Sequence, residues 1–315
     1  MAEKNITRKQ LAATVFTGLL SPLIRRLPRA AVFLAGKGAW LSALPALALL
    51  LPLLALMSSL RGALRPGEGM ANLMLRVLGP WVGRLALLLY GAWFLFYAGF
   101  ILRTGAERLV SAVYQESGTE PFLWVMLLLC AVAAMGPLRA TARTAALMRN
   151  ILLWVLGLVS LFALSNISLR NLFPLTVRDL PGTLRGALPV ISVGGTVALF
   201  SFLSGYAAPP ERPYRWAVPS LALFLLVSLL LCFETVGAFG PGLTLRLSFP
   251  FFTMIRDISL FNIAQRFEAV VIALWVFADF ILCTLLLRCG NEALRTLVGL
   301  PKPEGQVGRN FVPPF

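Results

Sequence analysis

GALPVISVGGTVALFSFLSG, residues 186–205, is apolar enough to enter a bilayer, yet it holds Pro189 near its start and the pair Gly194–Gly195 at its middle. Each glycine lowers helix propensity by about 1 kcal/mol relative to alanine, so an ordinary spanning helix has little use for two of them there. Backbone groups freed at such a point must find partners in protein or in a water-filled cavity, because lipid offers none. The stretch therefore predicts a broken membrane helix of the kind that lines a substrate site in transporter folds. The first apolar segment is similarly interrupted, by SPLIRRLP at Ser21–Pro28. Two interrupted segments, one opening each half of the chain, point to a central binding site.

The surrounding composition agrees with a membrane setting. Of 315 residues, 58% are hydrophobic and 13% charged, and the mean hydropathy is +0.83. Several uncharged runs reach the ~18 residues that suggest a membrane helix. The net charge of +15 comes from arginines placed at the ends of apolar runs, which reads as anchoring at the membrane flanks and not as a nucleic-acid surface. With no histidine in the chain, His-based triads and His-ligated metal sites are excluded. Cys130, Cys232, Cys283 and Cys289 form no CxxC pair and read as buried free thiols. No metal and no cofactor is expected. Met1–Gln10 is polar and the first apolar stretch has no small-residue cleavage site, so the first helix is expected to remain as an anchor.

Taken in order, eight segments emerge. Segment one starts near Gln10 and is broken around Ser21–Pro28, where Arg25, Arg26 and Arg29 must face a cavity or reach the interface. Segment two covers about 38–59. Segment three, about 81–102, is rich in Trp81, Tyr90, Trp93, Phe94, Phe96, Tyr97 and Phe100. Segments four and five cover about 121–138 and 150–169. Segment six is the interrupted one. Segments seven, about 216–239, and eight, about 267–287, carry Glu234 and Asp279. Between them FPFFTMIRDISLFNIAQRFEA, Phe249–Ala269, mixes polar and apolar residues at helical spacing, with too many charges for a span; short helices on the outer face are expected. With the N-terminus inside, the inner flanks collect the larger share of Lys and Arg, among them Lys9, Arg65, Arg76, Arg139, Arg149, Arg288 and Arg295. Both termini are then cytoplasmic, residues 301–315 forming a short tail.

These residues also carry a family pattern. ITRKQL at Ile6–Leu11, Leu27–Pro28 with Ala35–Gly36 and Ala39–Trp40, NLFP at Asn171–Pro174, LRGALP at Leu184–Pro189, and FPFFTMIRDISLFNIAQRFEAVVIALW at Phe249–Trp275 follow one another over most of the chain. Together they resemble the B subunit of bacterial spore germinant receptors, a branch of the amino acid–polyamine–organocation superfamily. The resemblance implies an all-α integral membrane protein of about eight transmembrane helices with a LeuT-like inverted-repeat fold, helices one and six broken. Residues 1–300 would form one transmembrane domain, with a first repeat over about 10–169 and a partial second over about 186–288. The family usually has ten spans, so the second repeat is expected to be two helices short. The family's common acidic residue at the sixth-segment break is replaced by Thr196, and a frequent lysine of segment eight by Leu282.

For function, the resemblance implies a membrane-embedded subunit that recognises a small germinant, an amino acid or similar nutrient, and triggers germination with A-type and C-type partner subunits in the spore inner membrane. No nucleic acid is expected, and lipid is the other partner. The ligand-binding candidates are Leu20, Ser21 and Pro22 in segment one, Ser192, Val193, Gly194, Gly195 and Thr196 in segment six, and Tyr97 in segment three. Half-helix N-termini at such breaks attract a carboxylate. The plainer alternative is that Gly194–Gly195 only allows close helix packing. Asp279, an acid within the membrane, is the candidate for ion or proton coupling. Glu234 lies nearer its segment's end, and Arg266 with Glu268 reads as a structural link. Nothing in the sequence supplies covalent chemistry. The competing readings are a secondary amino acid transporter of the superfamily and a shortened paralogue with only an assembly role.

Overall fold

A computed structural model describes residues 6–65, 68–112, 117–206, 217–257 and 264–300, and among these the regular structure is helical. The helices are α1 (Arg8–Ala35), α2 (Ala43–Gly62), α3 (Met70–Ala112), α4 (Glu120–Met135), α5 (Leu138–Ala163), α6 (Leu169–Leu172), α7 (Leu180–Gly195), α8 (Ala217–Arg246), α9 (Pro250–Asp257) and α10 (Ala264–Val298). A 3₁₀ segment over Gly36–Ser42 joins α1 to α2, and another over Thr196–Tyr206 continues α7. Each of the eight expected segments falls on one of the longer helices. Six stretches are long and apolar enough to cross a membrane; the first, Lys9–Leu60, contains both α1 and α2. The remaining apolar helix, Glu120–Met135, has 16 residues.

Helix α1 starts at a reciprocal cap. The Gln10 N–H donates to Thr7 Oγ1 at 3.3 Å, and the Thr7 N–H donates to Gln10 Oε1 at 3.2 Å. From there the helix runs on through Pro22 and Pro28 without interruption. The break expected over Ser21–Pro28 is therefore not present. Each proline deprives the carbonyl four residues earlier of its donor, but tight packing in a bundle lets a membrane helix absorb that loss. The residue four before Pro22 is Gly18, which lies so close to α10 that a Cβ there would come within 3.3 Å of Leu282 Cα. Sequence at this point specifies a close helix crossing. Arg25 points into the bundle, while Arg26 and Arg29 are exposed.

The interruptions that do occur are Gly-Pro steps. Gly79 in α3 has φ 78° and Gly240 in α8 has φ 69°, each just before a proline. Both values lie in the left-handed region that glycine enters without steric cost. Pro241 cannot donate to Gly237, four residues earlier, so that carbonyl needs partners from elsewhere. It receives the Ser168 N–H at 3.0 Å and Asn171 Nδ2 at 2.8 Å. Asn171, in the NLFP run, thus serves the backbone at the α8 kink.

At the sixth segment the α-helix ends at Gly195 and continues as eleven residues of 3₁₀ helix. Such runs rarely exceed three or four residues and often mark strain or a hinge. Upstream, Gly182 and Gly186 set α7 against the end of α1: a Cβ on Gly186 would collide with Ser42 and with Ala35. Gly194 faces Leu50 and Phe224, with 3.0–3.1 Å available to a Cβ.

Two apolar cores result. One gathers α1, α5, α7, α8 and α9 around Leu23, Leu27, Leu231 and Phe251; the other gathers α3, α4 and α10 with the second 3₁₀ segment around Phe94, Phe202 and Leu285. The α3–α10 pairing is the most extensive in the molecule. Helix α9 inserts Phe251, Phe252, Met254 and Ile255 into the bundle, where the sequence had suggested surface helices. Residues 258–263, also in that expected surface region, lie outside the described residues. On the outside Trp81, Leu85, Leu89, Trp93 and Phe96 leave a long apolar face that hydrocarbon satisfies. The protein is a multi-pass membrane protein.

Candidate functional site

Where α1, α3 and α10 meet, five polar side chains form a buried cluster. Asp279 of α10, 3% exposed, accepts from the Ser21 hydroxyl of α1 on Oδ1 and from the Arg108 guanidinium of α3 on Oδ2. One helical turn beyond Ser21, Arg25 donates through Nη1 to the Thr104 hydroxyl of α3. Thr104 in turn donates to the Phe100 carbonyl at 2.8 Å. Charges at this depth are costly unless paired, so a carboxylate held by two donors from different helices ties those helices together. Gly105 makes room for it, since a Cβ there would stand 3.2 Å from Asp279 Oδ2.

Aromatic rings surround the cations. Arg25 Cζ lies 5.7 Å from the Phe100 ring centroid, and Arg26 approaches the same ring at 4.4 Å. Arg108 Cζ lies 5.6 Å from the Trp275 ring. Trp275 is itself packed on Phe252 of α9, centroids 5.4 Å apart. Between them a cavity of about 20 Å³ is lined by Gly105, Arg108, Leu109, Phe252, Ile272, Trp275 and Val276. That is room for a water molecule. Arg108 and Gly105 bring this cavity to the edge of the cluster.

Of the residues expected at the site, Ser21 and Asp279 meet directly. Tyr97 is half-buried on the same side, stacked on Phe100 at 6.5 Å. Leu20 and Pro22 flank Ser21 but are buried in packing. The sixth-segment group sits apart from this cluster. Ser192 is exposed, Val193 and Gly194 pack in the cores, and Thr196 donates to the Val193 carbonyl of its own turn at 2.6 Å. A Cβ added at Gly195 would meet only Leu53, at 3.9 Å. Thr104 and Arg108 escaped the sequence reading because both fall beyond the apolar run ending at Leu102. The signal was present: α3 continues to Ala112, so RTGAER is a further helical stretch and not a flank.

The other intramembrane acids have separate surroundings. Glu234, 1% exposed on α8, stands beside Ser160 of α5, and its Oε2 has no hydrogen-bond partner among the described residues. Glu292 accepts from the Tyr206 hydroxyl at 2.7 Å. Arg288 donates to the Ala133 and Gly136 carbonyls at 2.6 and 2.7 Å, capping the C-terminus of α4. All four cysteines are free and buried. The side chains of Arg266 and Glu268 lie outside what the structure describes.

A family model described as "Spore germination protein" matches residues 5–303. The chain belongs to that family. A relative in Bacillus subtilis (strain 168), named "Putative spore germination protein YfkT", is 23% identical over 205 residues, which is 62% of this chain. The match covers 54% of the relative, so the chain spans about half the length of the curated relative it matches. Within the described residues of this spore germination protein, the buried charges of Arg25, Arg108 and Asp279 converge at the α1–α3–α10 cluster.

Proposed function

We propose that this germination protein is the germinant-recognising membrane subunit of a receptor, and that the Ser21–Arg25–Thr104–Arg108–Asp279 cluster is where a small molecule is read. The observation that carries this is the position of Asp279, whose two oxygens bind donors from α1 and from α3 at one buried point. A polar ligand competing for any of those donors would change how three helices hold together, and a signal needs such a bistable contact. The cavity beside the cluster holds about one water molecule, so a nutrient-sized ligand requires the surrounding rings to move. A- and C-type subunits in the spore inner membrane would receive the change, since the described chain is helices and short connections with little to read out a signal by itself.

Spores carrying Asp279→Asn or Ser21→Ala, with membrane abundance of the subunit measured alongside, test the reading. Asp279→Asn keeps shape but removes the charge opposite Arg108, and a shift of tenfold or more in germinant concentration at normal abundance is expected. An unchanged response at normal abundance rejects the site. If purified protein in vesicles moves germinant across the bilayer in a manner abolished by Asp279→Asn, the site belongs to a transporter instead.

A further inference from the structure

Arg25 is 5% exposed, and of its three guanidinium nitrogens only Nη1 has a partner, the neutral hydroxyl of Thr104. Nε and Nη2 have no hydrogen-bond partner among the described residues. The nearby carboxylate, Asp279, is already engaged by Ser21 on one oxygen and Arg108 on the other. Buried polar groups are nearly always satisfied, and a cation left with open donors inside a membrane bundle calls for an explanation. The geometry of the open pair supplies one. Nε–H and the Nη2–H beside it point the same way along one edge of the guanidinium plane, the fork that matches two oxygens of a carboxylate or phosphate.

Arg25 and the exposed Arg26 both lie against the half-buried Phe100 ring, at 5.7 and 4.4 Å from its centroid, with Tyr97 stacked on the same ring. Arg26 is placed to draw an anion, Arg25 to hold it. We propose that Arg25 binds an oxyanion through its Nε–Nη2 edge, so that the ligand class of this cluster is a small carboxylate, or the phosphate of a lipid headgroup. Each Asp279 oxygen already accepts one bond, whereas the Nε–Nη2 edge of Arg25 is open, and it is this open donor pair that selects an oxyanion. The proposal rests on reading the cluster as a recognition site for its biological meaning, and the binding itself can be tested independently.

The full chain, purified in dodecyl maltoside, whose headgroup has neither carboxylate nor phosphate, is unfolded thermally in two arms. One adds sodium acetate or sodium lactate against sodium chloride at equal ionic strength; the other adds phosphatidylglycerol against a neutral galactolipid. A ligand that binds the folded state raises the midpoint. The expected result is a rise in one arm, which identifies the source of the oxyanion. In Arg25→Lys, which keeps the charge and loses the fork, the half-effect concentration should rise about 10- to 100-fold, while Arg26→Gln should change it less than threefold. No rise beyond the control in either arm, or a rise that Arg25→Lys leaves unchanged, overturns the proposal. An oxyanion effect together with an unchanged Asp279→Asn germination response would keep this chemistry and remove the recognition role; the opposite pair of results would do the reverse.

Discussion

Arg288 shows how a single side chain serves the end of a short helix. Helix α4 has 16 residues, about 24 Å at 1.5 Å per residue, against a hydrocarbon core of ~30 Å. The Arg288 guanidinium supplies two bonds to its last carbonyls. Arg288→Gln should destabilise the protein by about 2 kcal/mol, since bonds from a charged donor contribute ~1.5–3 kcal/mol. An unfolding midpoint in detergent unchanged by that substitution would refute the capping role. Glu234 makes the contrasting case. Its unpartnered Oε2 and distance from the α1–α3–α10 cluster argue that Glu234→Gln, which keeps shape and removes a burial penalty, leaves the germination response intact. A lost response at normal abundance would bring Glu234 into the functional set. Residue by residue, Asp279 stood out as an acid inside an apolar run, whereas Ser21 was expected at a helix break that α1 does not have. Arg108 and Thr104 were not legible, because a charge just past an apolar run looks the same whether its helix stops or continues.

Elements were read well for position and poorly for shape. Apolar runs located the eight segments, since burial in lipid demands length and hydrophobicity and both are visible in composition. Interruptions depend instead on what packs beside a proline or glycine, which no local window contains. Pro22 and Pro28 are absorbed, whereas Gly79–Pro80 and Gly240–Pro241 kink their helices. The glycine pair of the sixth segment separates into two roles that substitution can distinguish. Gly194→Ala must push against Leu50 and Phe224 and is expected to lower membrane abundance, whereas Gly195→Ala meets only Leu53 at 3.9 Å and should be tolerated or gain up to ~1 kcal/mol. Equal effects at both positions would refute the packing assignment. Asn171→Ala removes one of the two donors to the Gly237 carbonyl and should cost about 1 kcal/mol, read as an earlier unfolding midpoint.

At the scale of the whole molecule, the charge bias across the flanks predicts an orientation that labelling can check. A cysteine placed at Gln115 should react with an impermeant reagent from outside and one at Glu304 should not, both positions lying outside the described residues. The native background is favourable, because the four cysteines are buried. Reaction of the Glu304 thiol from outside would invert the topology. The Asp279 cluster has one further consequence, for the order in which the protein is made. Ser21 and Asp279 are separated by 258 positions, and Arg108 and Asp279 by 171. During synthesis α1 and α3 therefore enter the bilayer long before the carboxylate they share has left the ribosome. Until α10 arrives, Arg108 lacks this carboxylate partner and the face of α3 that packs on α10 is uncovered. If α10 completes the bundle in this way, a ribosome stalled before it should yield a chain degraded quickly, and one stalled well after it a chain that persists.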